Sequence, residues 1–160
     1  MFEVDRPATQ AAKRELLEAA GLDVPGSVSF VAADFETGRL REQPVQSGLD
    51  PFRPVFVSWL GVTMHLTRQA ILATLTDLGG FAPGSEIVAD HLLPAELRDA
   101  AGNGYAEAVA PMAAEEGEPW PTFLSPPPWR RSCATPDLKW SNRPVSKTPP
   151  ARPGGTATTS

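Results

Sequence analysis

The sequence FEVDRP at residues 2–7 decides how the rest of the chain is interpreted. It predicts a short β-strand that ends in the carboxylate of Asp5, followed at once by a helix whose first turn contains Pro7, where the missing backbone N–H costs nothing. In α/β folds that bind nucleotides, an acidic residue at the tip of such a strand accepts hydrogen bonds from ribose hydroxyls. The glycine-rich turn that precedes this strand in those folds is absent from the sequence. We therefore expect the chain to hold only part of a nucleotide-binding domain.

Predicted helices and strands alternate through the first 125 residues. Strands are predicted at 28–32, 54–60 and 85–90, and helices at 7–20, 39–47, 68–78 and 94–116. This alternation, with connections of a few residues, predicts an α/β fold with a mostly parallel sheet and flanking helices. An α+β domain built from the same elements is the alternative.

Several local patterns make these predictions specific. Thr67 is a suitable N-cap for the helix at 68–78, and Gly21 is placed to end the first helix. The first helix presents alanines and Leu16 near one face, which we expect to be buried. The strand at 54–60 (PVFVSWL) is almost continuously apolar, which is typical of burial on both faces.

Charge and composition restrict the possible partners. The net charge of −5 combines a net −10 over residues 1–125 with a net +5 over residues 126–160. An acidic body offers no electrostatic footprint for nucleic acid. No apolar run is long enough to span a membrane and no leader resembles a signal peptide, so we expect a cytoplasmic protein without a membrane partner. The single cysteine, Cys133, excludes an internal disulfide.

The chain changes character after residue 125. Residues 126–160 hold eight of the 18 prolines and no hydrophobic period, so we expect a disordered Pro/Arg-rich tail. Back-translation of residues 129–144 with GC-rich codons, shifted by one base, can yield a helix, a glycine and a strand. We therefore hypothesise that a frameshift replaced native sequence with this tail. Sequencing of the gene locus tests the hypothesis, because a frame in which no one-base shift restores a periodic pattern would contradict it.

Three linked segments identify a family resemblance. FEVDRPATQAAKRELLEAAGL, VSFVAADFE and FVSWLGVTMHLTRQAILATL resemble the bacterial branch of the leucine carboxyl methyltransferase family, across about residues 2–125. The resemblance implies an incomplete Rossmann-like methyltransferase fold, at residues 1–125, that lacks its first strand and its glycine-rich turn. It also implies S-adenosyl-L-methionine as the cofactor and O-methylation of a carboxylate or hydroxyl of a small metabolite as the activity.

The resemblance further implies which residues bind the methyl donor. Asp5 is expected at the ribose, Asp34 at the exocyclic amino group of adenine, and Phe35 beside the adenine ring. For Asp34 a turn cap, and for Phe35 a core position, are the structural alternatives. Methyl transfer depends chiefly on alignment, so no catalytic residue is assigned, and no metal site is predicted. The oligomeric state is open. Two other functions also stay open: a non-catalytic fragment of such an enzyme, and a nicotinamide-dependent oxidoreductase.

Overall fold

Four short strands form two parallel pairs in the computed structural model, which describes residues 1–37 and 39–125. Strand β1 (Phe2–Asp5) pairs with β2 (Ser29–Ala32), and β3 (Phe56–Trp59) pairs with β4 (Glu86–Ala89). Each connection between paired strands contains a helix, as parallel pairing requires. The predicted α/β fold with parallel strands and flanking helices is therefore confirmed. Within the described residues, however, the four strands form two separate sheets.

The described part of the chain contains four α-helices: α1 (Pro7–Ala19), α2 (Glu42–Gln46), α3 (Arg68–Leu78) and α4 (Ala100–Glu115). Short 3-10 turns occur at Phe35–Thr37, Thr63–His65 and Ala95–Leu97. The bounds of α3 are those predicted, but α4 begins later than expected.

Side-chain caps explain where α3 and α4 begin. The Thr67 hydroxyl accepts a hydrogen bond from the Ala70 backbone N–H at 3.2 Å, so Thr67 is the N-cap of α3 as predicted. Asp99 caps α4 by accepting from the Gly102 N–H at 2.8 Å, which places the start of this helix after the predicted residue 94. Gly21 adopts a φ of +67° just beyond α1, a conformation that favours glycine, and it ends the helix as predicted.

One hydrophobic core joins both strand pairs. Helix α3 contributes its buried face, and Trp59 of β3 and Leu124 complete the centre of the cluster. Val4 of β1 and Val57 of β3 pack against the same cluster from the two sheets. The other buried members are Ala33, Phe35, Leu40, Leu66, Ala70, Ile71, Leu75 and Leu78. The two sheets therefore belong to one domain although no strand hydrogen bonds connect them in the described residues.

The predicted burial of β3 on both faces is wrong. Val57 and Trp59 point towards the core, but Phe56 on the opposite face is 66% exposed, and Val88 of β4, which is in register with Ser58 on that same outer face, is 47% exposed. Side chains alternate between the two faces of a strand, and no described helix covers the outer face of this pair. The sequence of β3 is therefore almost entirely apolar although one face of its sheet is exposed to water.

The predicted buried face of α1 is also wrong. Leu16 is 72% exposed, and the buried residue of the helix is Gln10. The Gln10 side-chain amide donates hydrogen bonds to the Glu3 carbonyl at 3.1 Å and to the Val31 carbonyl at 2.9 Å. This amide attaches α1 to both strands of the first pair, because it reaches backbone acceptors that an alanine or leucine could not satisfy.

Replacing Gln10 by leucine is expected to lower the free energy of unfolding by about 1–3 kcal/mol, since one buried and one partly buried hydrogen bond are lost while the side-chain volume is kept. Urea denaturation followed by circular dichroism measures the change. Gln46→Leu is the matched control at an exposed helical position. Equal stability of the two variants would mean that the Gln10 amide does not hold the helix in place.

Candidate nucleotide-binding site

Asp5 and Asp34 lie at the same edge of the first strand pair. Asp5 is the last residue of β1 and is in register with Ala32, the last residue of β2. The backbone N–H of Ala33 donates to the Asp5 carbonyl at 2.9 Å, and Asp34 is the next residue. Asp5 is half-buried and Asp34 is exposed. The structure therefore brings the two predicted carboxylates together at the carboxyl ends of neighbouring parallel strands, where open α/β sheets place their ligands.

Each of these carboxylates is oriented by a backbone N–H close to it in sequence. The Arg6 N–H donates to Asp5 Oδ1 at 2.7 Å, and the Glu36 N–H donates to Asp34 Oδ1 at 3.0 Å. The second bond is the turn cap that was the structural alternative for Asp34. It uses one carboxylate oxygen and leaves the other available to a ligand. The two functions of Asp34 are thus compatible.

Phe35 is part of the hydrophobic core. Its side chain is 8% exposed, and its ring stacks on Trp59 with centroids 6.3 Å apart and an interplanar angle of 11°. The stack links the segment after β2 to the end of β3. Phe35 therefore anchors the backbone that carries Asp34, while a contact between its ring and adenine stays a prediction.

Glu36 fixes the same segment to helix α3. Its carboxylate accepts from the Thr67 N–H and from the Thr67 hydroxyl, both at 2.8 Å. Farther along, the Arg41 N–H donates to Asp77 Oδ2 at 2.8 Å. Sequence reasoning missed Glu36, because 31 residues separate it from Thr67 and no local spacing links an acidic residue to a distant helix cap. The segment after β2 is consequently held at two points by α3.

The segments after β3 and β4 are also bound to each other. Asp90 Oδ1 accepts from the Gly61 N–H at 2.9 Å, and the Asp90 carbonyl accepts from the Thr63 hydroxyl at 2.7 Å. Gly61 has a φ of +71°, which lets the chain turn sharply as it leaves β3. These contacts place residues 60–65 at the carboxyl end of the second strand pair.

The described residues were predicted to contain neither a metal site nor a membrane-spanning helix. In this part of the chain, no group of three or more His, Cys, Asp or Glu side chains is arranged to hold a metal ion. None of its helices is long and apolar enough to cross a membrane. Cys133 and the predicted tail at 126–160 lie outside the described residues.

His91 is a titratable group that is partly removed from water. Burial lowers the pKa of His91 below its ordinary value of 6.5, and the neighbouring Asp90 carboxylate opposes this effect by raising it. The lowering by burial is the larger of the two. The unfolded chain therefore binds a proton at this residue at a higher pH than the folded chain does.

The free energy of unfolding is expected to decrease as the pH falls through 6.5 towards the lower folded-state pKa of His91, because protons then bind preferentially to the unfolded chain. His91→Gln should flatten this dependence. Urea unfolding across about pH 5–8 measures it. His65→Gln controls for the loss of an imidazole elsewhere, and an equal slope for wild type and His91→Gln would contradict the assignment.

The architecture and the paired carboxylates define the class: a Rossmann-like α/β protein whose candidate site lies at the carboxyl edge of parallel strands. Comparison with known proteins gives the family. Residues 1–79 match the family model described as leucine carboxyl methyltransferase. The chain is also 33% identical, over 120 residues, to YktD of Bacillus subtilis (strain 168), which is provisionally named an S-adenosyl-L-methionine-dependent methyltransferase. The aligned region is 74% of this chain and 39% of that protein.

Residues 1–79 are therefore similar to the leucine carboxyl methyltransferase family, which is the family that the sequence motifs predicted. The cofactor that this similarity implies is S-adenosyl-L-methionine. The chain spans about two fifths of the length of the curated relative that it matches.

Proposed function

We propose that the chain binds S-adenosyl-L-methionine at the carboxyl edge of β1 and β2, and that the enzyme activity of this site is O-methylation of a carboxylate or hydroxyl of a small metabolite. The observation that carries the proposal is the adjacency of Asp5 and Asp34 across the strand ladder, with Ala33 N–H bonded to the Asp5 carbonyl at 2.9 Å. The ribose hydroxyls and the adenine amino group are hydrogen-bond donors at the two ends of one nucleoside, and the carboxylates of Asp5 and Asp34 can each accept from one end.

Each residue has a specific role in this proposal. Asp5 accepts hydrogen bonds from the ribose hydroxyls, and Asp34 accepts from the adenine amino group through its second carboxylate oxygen. Phe35 borders the adenine site, and its stack on Trp59 keeps Asp34 in place. The chain's own contribution is to bind and orient. The methyl group is already activated on the sulfonium, and a carboxylate acceptor needs no base to be methylated.

Isothermal titration of the full chain with S-adenosyl-L-methionine tests donor binding directly. The expected result is saturable heat with a dissociation constant in the micromolar range, and competition by S-adenosylhomocysteine, which shares the nucleoside. Titration with NADH is the parallel arm, because an acidic strand end also suits the ribose of that cofactor. Binding of NADH without binding of the methyl donor would replace the proposal by the oxidoreductase alternative.

A non-catalytic role is the second candidate, and the division of the strands into two separate pairs favours it. In a continuous sheet the donor binds at the point where the strand order reverses. Here the described strands form two pairs, and no described strand joins them at that point. Absence of heat at millimolar methyl donor would favour this second candidate. Binding of the donor without turnover of any carboxylate or hydroxyl acceptor would favour a binding role.

A further inference from the structure

Glu36 connects the candidate adenine contact to a distant helix. Its backbone N–H donates to Asp34 Oδ1 at 3.0 Å. Its side-chain carboxylate accepts from the backbone N–H and the hydroxyl of Thr67, both at 2.8 Å. The Thr67 hydroxyl in turn accepts from the Ala70 N–H at 3.2 Å. One residue therefore joins the carboxylate proposed to contact adenine to the first turn of α3.

The contact with Thr67 completes the N-terminal cap of α3. In a capping box, an acidic side chain at the third helical position accepts from the backbone N–H of the N-cap residue. The N-cap of α3 is Thr67, and its third helical position is Ala70, which has no side-chain acceptor. Glu36, 31 residues away from Thr67, supplies the missing carboxylate. Negative charge is stabilised at a helix N-terminus, so the position favours Glu36 there.

This connection sets the orientation of the Asp34 side chain. The Glu36 N–H occupies Oδ1, which determines the direction in which Oδ2 points. The neighbouring backbone is held independently, because Phe35 is 8% exposed in the core and the Thr37 hydroxyl donates to the Asp34 carbonyl at 2.8 Å. Loss of the Glu36–Thr67 bonds would therefore release the Glu36 peptide group, and with it the Asp34 carboxylate, while the Phe35 ring stays packed.

We propose that Glu36, held by Thr67, is a positioning residue that sets the base specificity of the donor site. It directs Asp34 Oδ2 towards the exocyclic amino group of adenine, and the site consequently prefers adenine to a base that lacks this donor. The inference rests on the donor binding proposed above. A fixed acceptor discriminates strongly because it is left unpaired by a ligand without the donor, whereas a mobile carboxylate can turn towards water.

A role in stability alone makes a different prediction for Glu36. If its bonds to Thr67 only held α3 against the first strand pair, their loss would weaken every nucleoside ligand by the same factor. If Glu36 positions Asp34, the loss falls on ligands that carry the amino group. The ratio of two affinities, for a ligand with the amino group and for one without it, therefore separates the two roles.

Isothermal titration of the full chain with S-adenosylhomocysteine and S-inosylhomocysteine measures this ratio. The second ligand has a carbonyl oxygen in place of the amino group and is otherwise the same nucleoside. The wild type is expected to prefer S-adenosylhomocysteine by about ten- to a hundredfold, the usual effect of a hydrogen bond to a charged acceptor. Glu36→Ala should lower the preference severalfold and leave the affinity for S-inosylhomocysteine nearly unchanged.

Further variants keep the test decisive if Glu36→Ala folds poorly. Glu36→Gln retains the side-chain length and one acceptor oxygen, so it should give an intermediate preference. Thr67→Val loses the hydroxyl that donates to Glu36 and should also lower the preference, whereas Thr67→Ser keeps both donors and should restore it. Glu107→Gln removes a negative charge from an exposed position on α4 and is the charge control. Circular dichroism verifies that each variant is folded.

Three results would overturn this inference alone. They are an unchanged preference in Glu36→Ala and Thr67→Val, equal weakening of both ligands in these variants, and equal affinity of the wild type for both ligands. The first two would restrict Glu36 to no role or to a role in stability, and the third would mean that Asp34 does not read the amino group. Binding of neither ligand to the wild type would instead contradict the proposed donor binding, and this inference would fail with it.

Discussion

Asp5→Asn is expected to weaken binding of S-adenosyl-L-methionine by about ten- to a hundredfold, because hydrogen bonds to a charged acceptor contribute about 1.5–3 kcal/mol. Asparagine keeps an oxygen that can accept from the Arg6 N–H, which orients the native carboxylate at 2.7 Å. The local turn should therefore survive while the charge that attracts the ribose hydroxyls is lost. Isothermal titration of both proteins measures the difference.

Glu3→Gln is the matched control for this variant. This variant also removes one negative charge from β1. Glu3, however, does not lie at the end of the strand, and its Oε1 atom is 2.7 Å from Lys13 Nζ. Donor affinity should change little, since Glu3 is paired with Lys13 and does not lie at the strand end where the donor is proposed to bind. Equal loss of affinity in both variants would show that overall charge, and not a contact from Asp5, attracts the donor.

Trp59→Ala is expected to destabilise the domain by about 3–5 kcal/mol, the usual cost of truncating a large aromatic side chain in a core. Trp59 is 4% exposed, packs in the shared core and stacks on Phe35. Since most domains are stable by about 5–15 kcal/mol, this loss should bring the protein close to unfolding. Urea denaturation gives the change in the free energy of unfolding.

Phe56→Ala provides the comparison for Trp59→Ala on the opposite face of the same strand. Phe56 is 66% exposed, so its truncation should change the free energy of unfolding by no more than about 0.5 kcal/mol. Equal destabilisation of the two variants would mean that Phe56 is buried in solution, and it would contradict the exposed outer face of β3.

Local signals predicted the order of the elements and some of their bounds. The Thr67 cap and the helical spacing of the apolar residues gave α3 its exact bounds. The family resemblance assigned Asp5 and Asp34 to one donor site, and the bond from the Ala33 N–H to the Asp5 carbonyl puts both residues at the carboxyl ends of neighbouring strands. Donor binding by these residues stays a prediction. These features depend on residues near one another in sequence or on the regular geometry of parallel strands.

Features that depend on tertiary packing were missed. Periodicity placed Leu16 in the core, but the structure buries Gln10, because backbone acceptors on two strands favour an amide there. The apolar sequence of β3 predicted burial on both faces. An apolar sequence makes such burial favourable, but it does not determine whether another element packs over each face. The Glu36–Thr67 contact joins segments 31 residues apart and has no sequence signature.

The open face of β3 and β4 affects the thermodynamics of the whole domain. Phe56 and Val88 already contact water before unfolding, together with other exposed apolar side chains such as Leu16 and Tyr105. Thermal unfolding then hydrates less new apolar surface than usual, so the heat-capacity increment measured by calorimetry should fall below the common value of about 12–15 cal/mol/K per residue. A small increment gives a shallow stability curve, and cold should weaken this fold less steeply than it weakens a fully covered α/β domain.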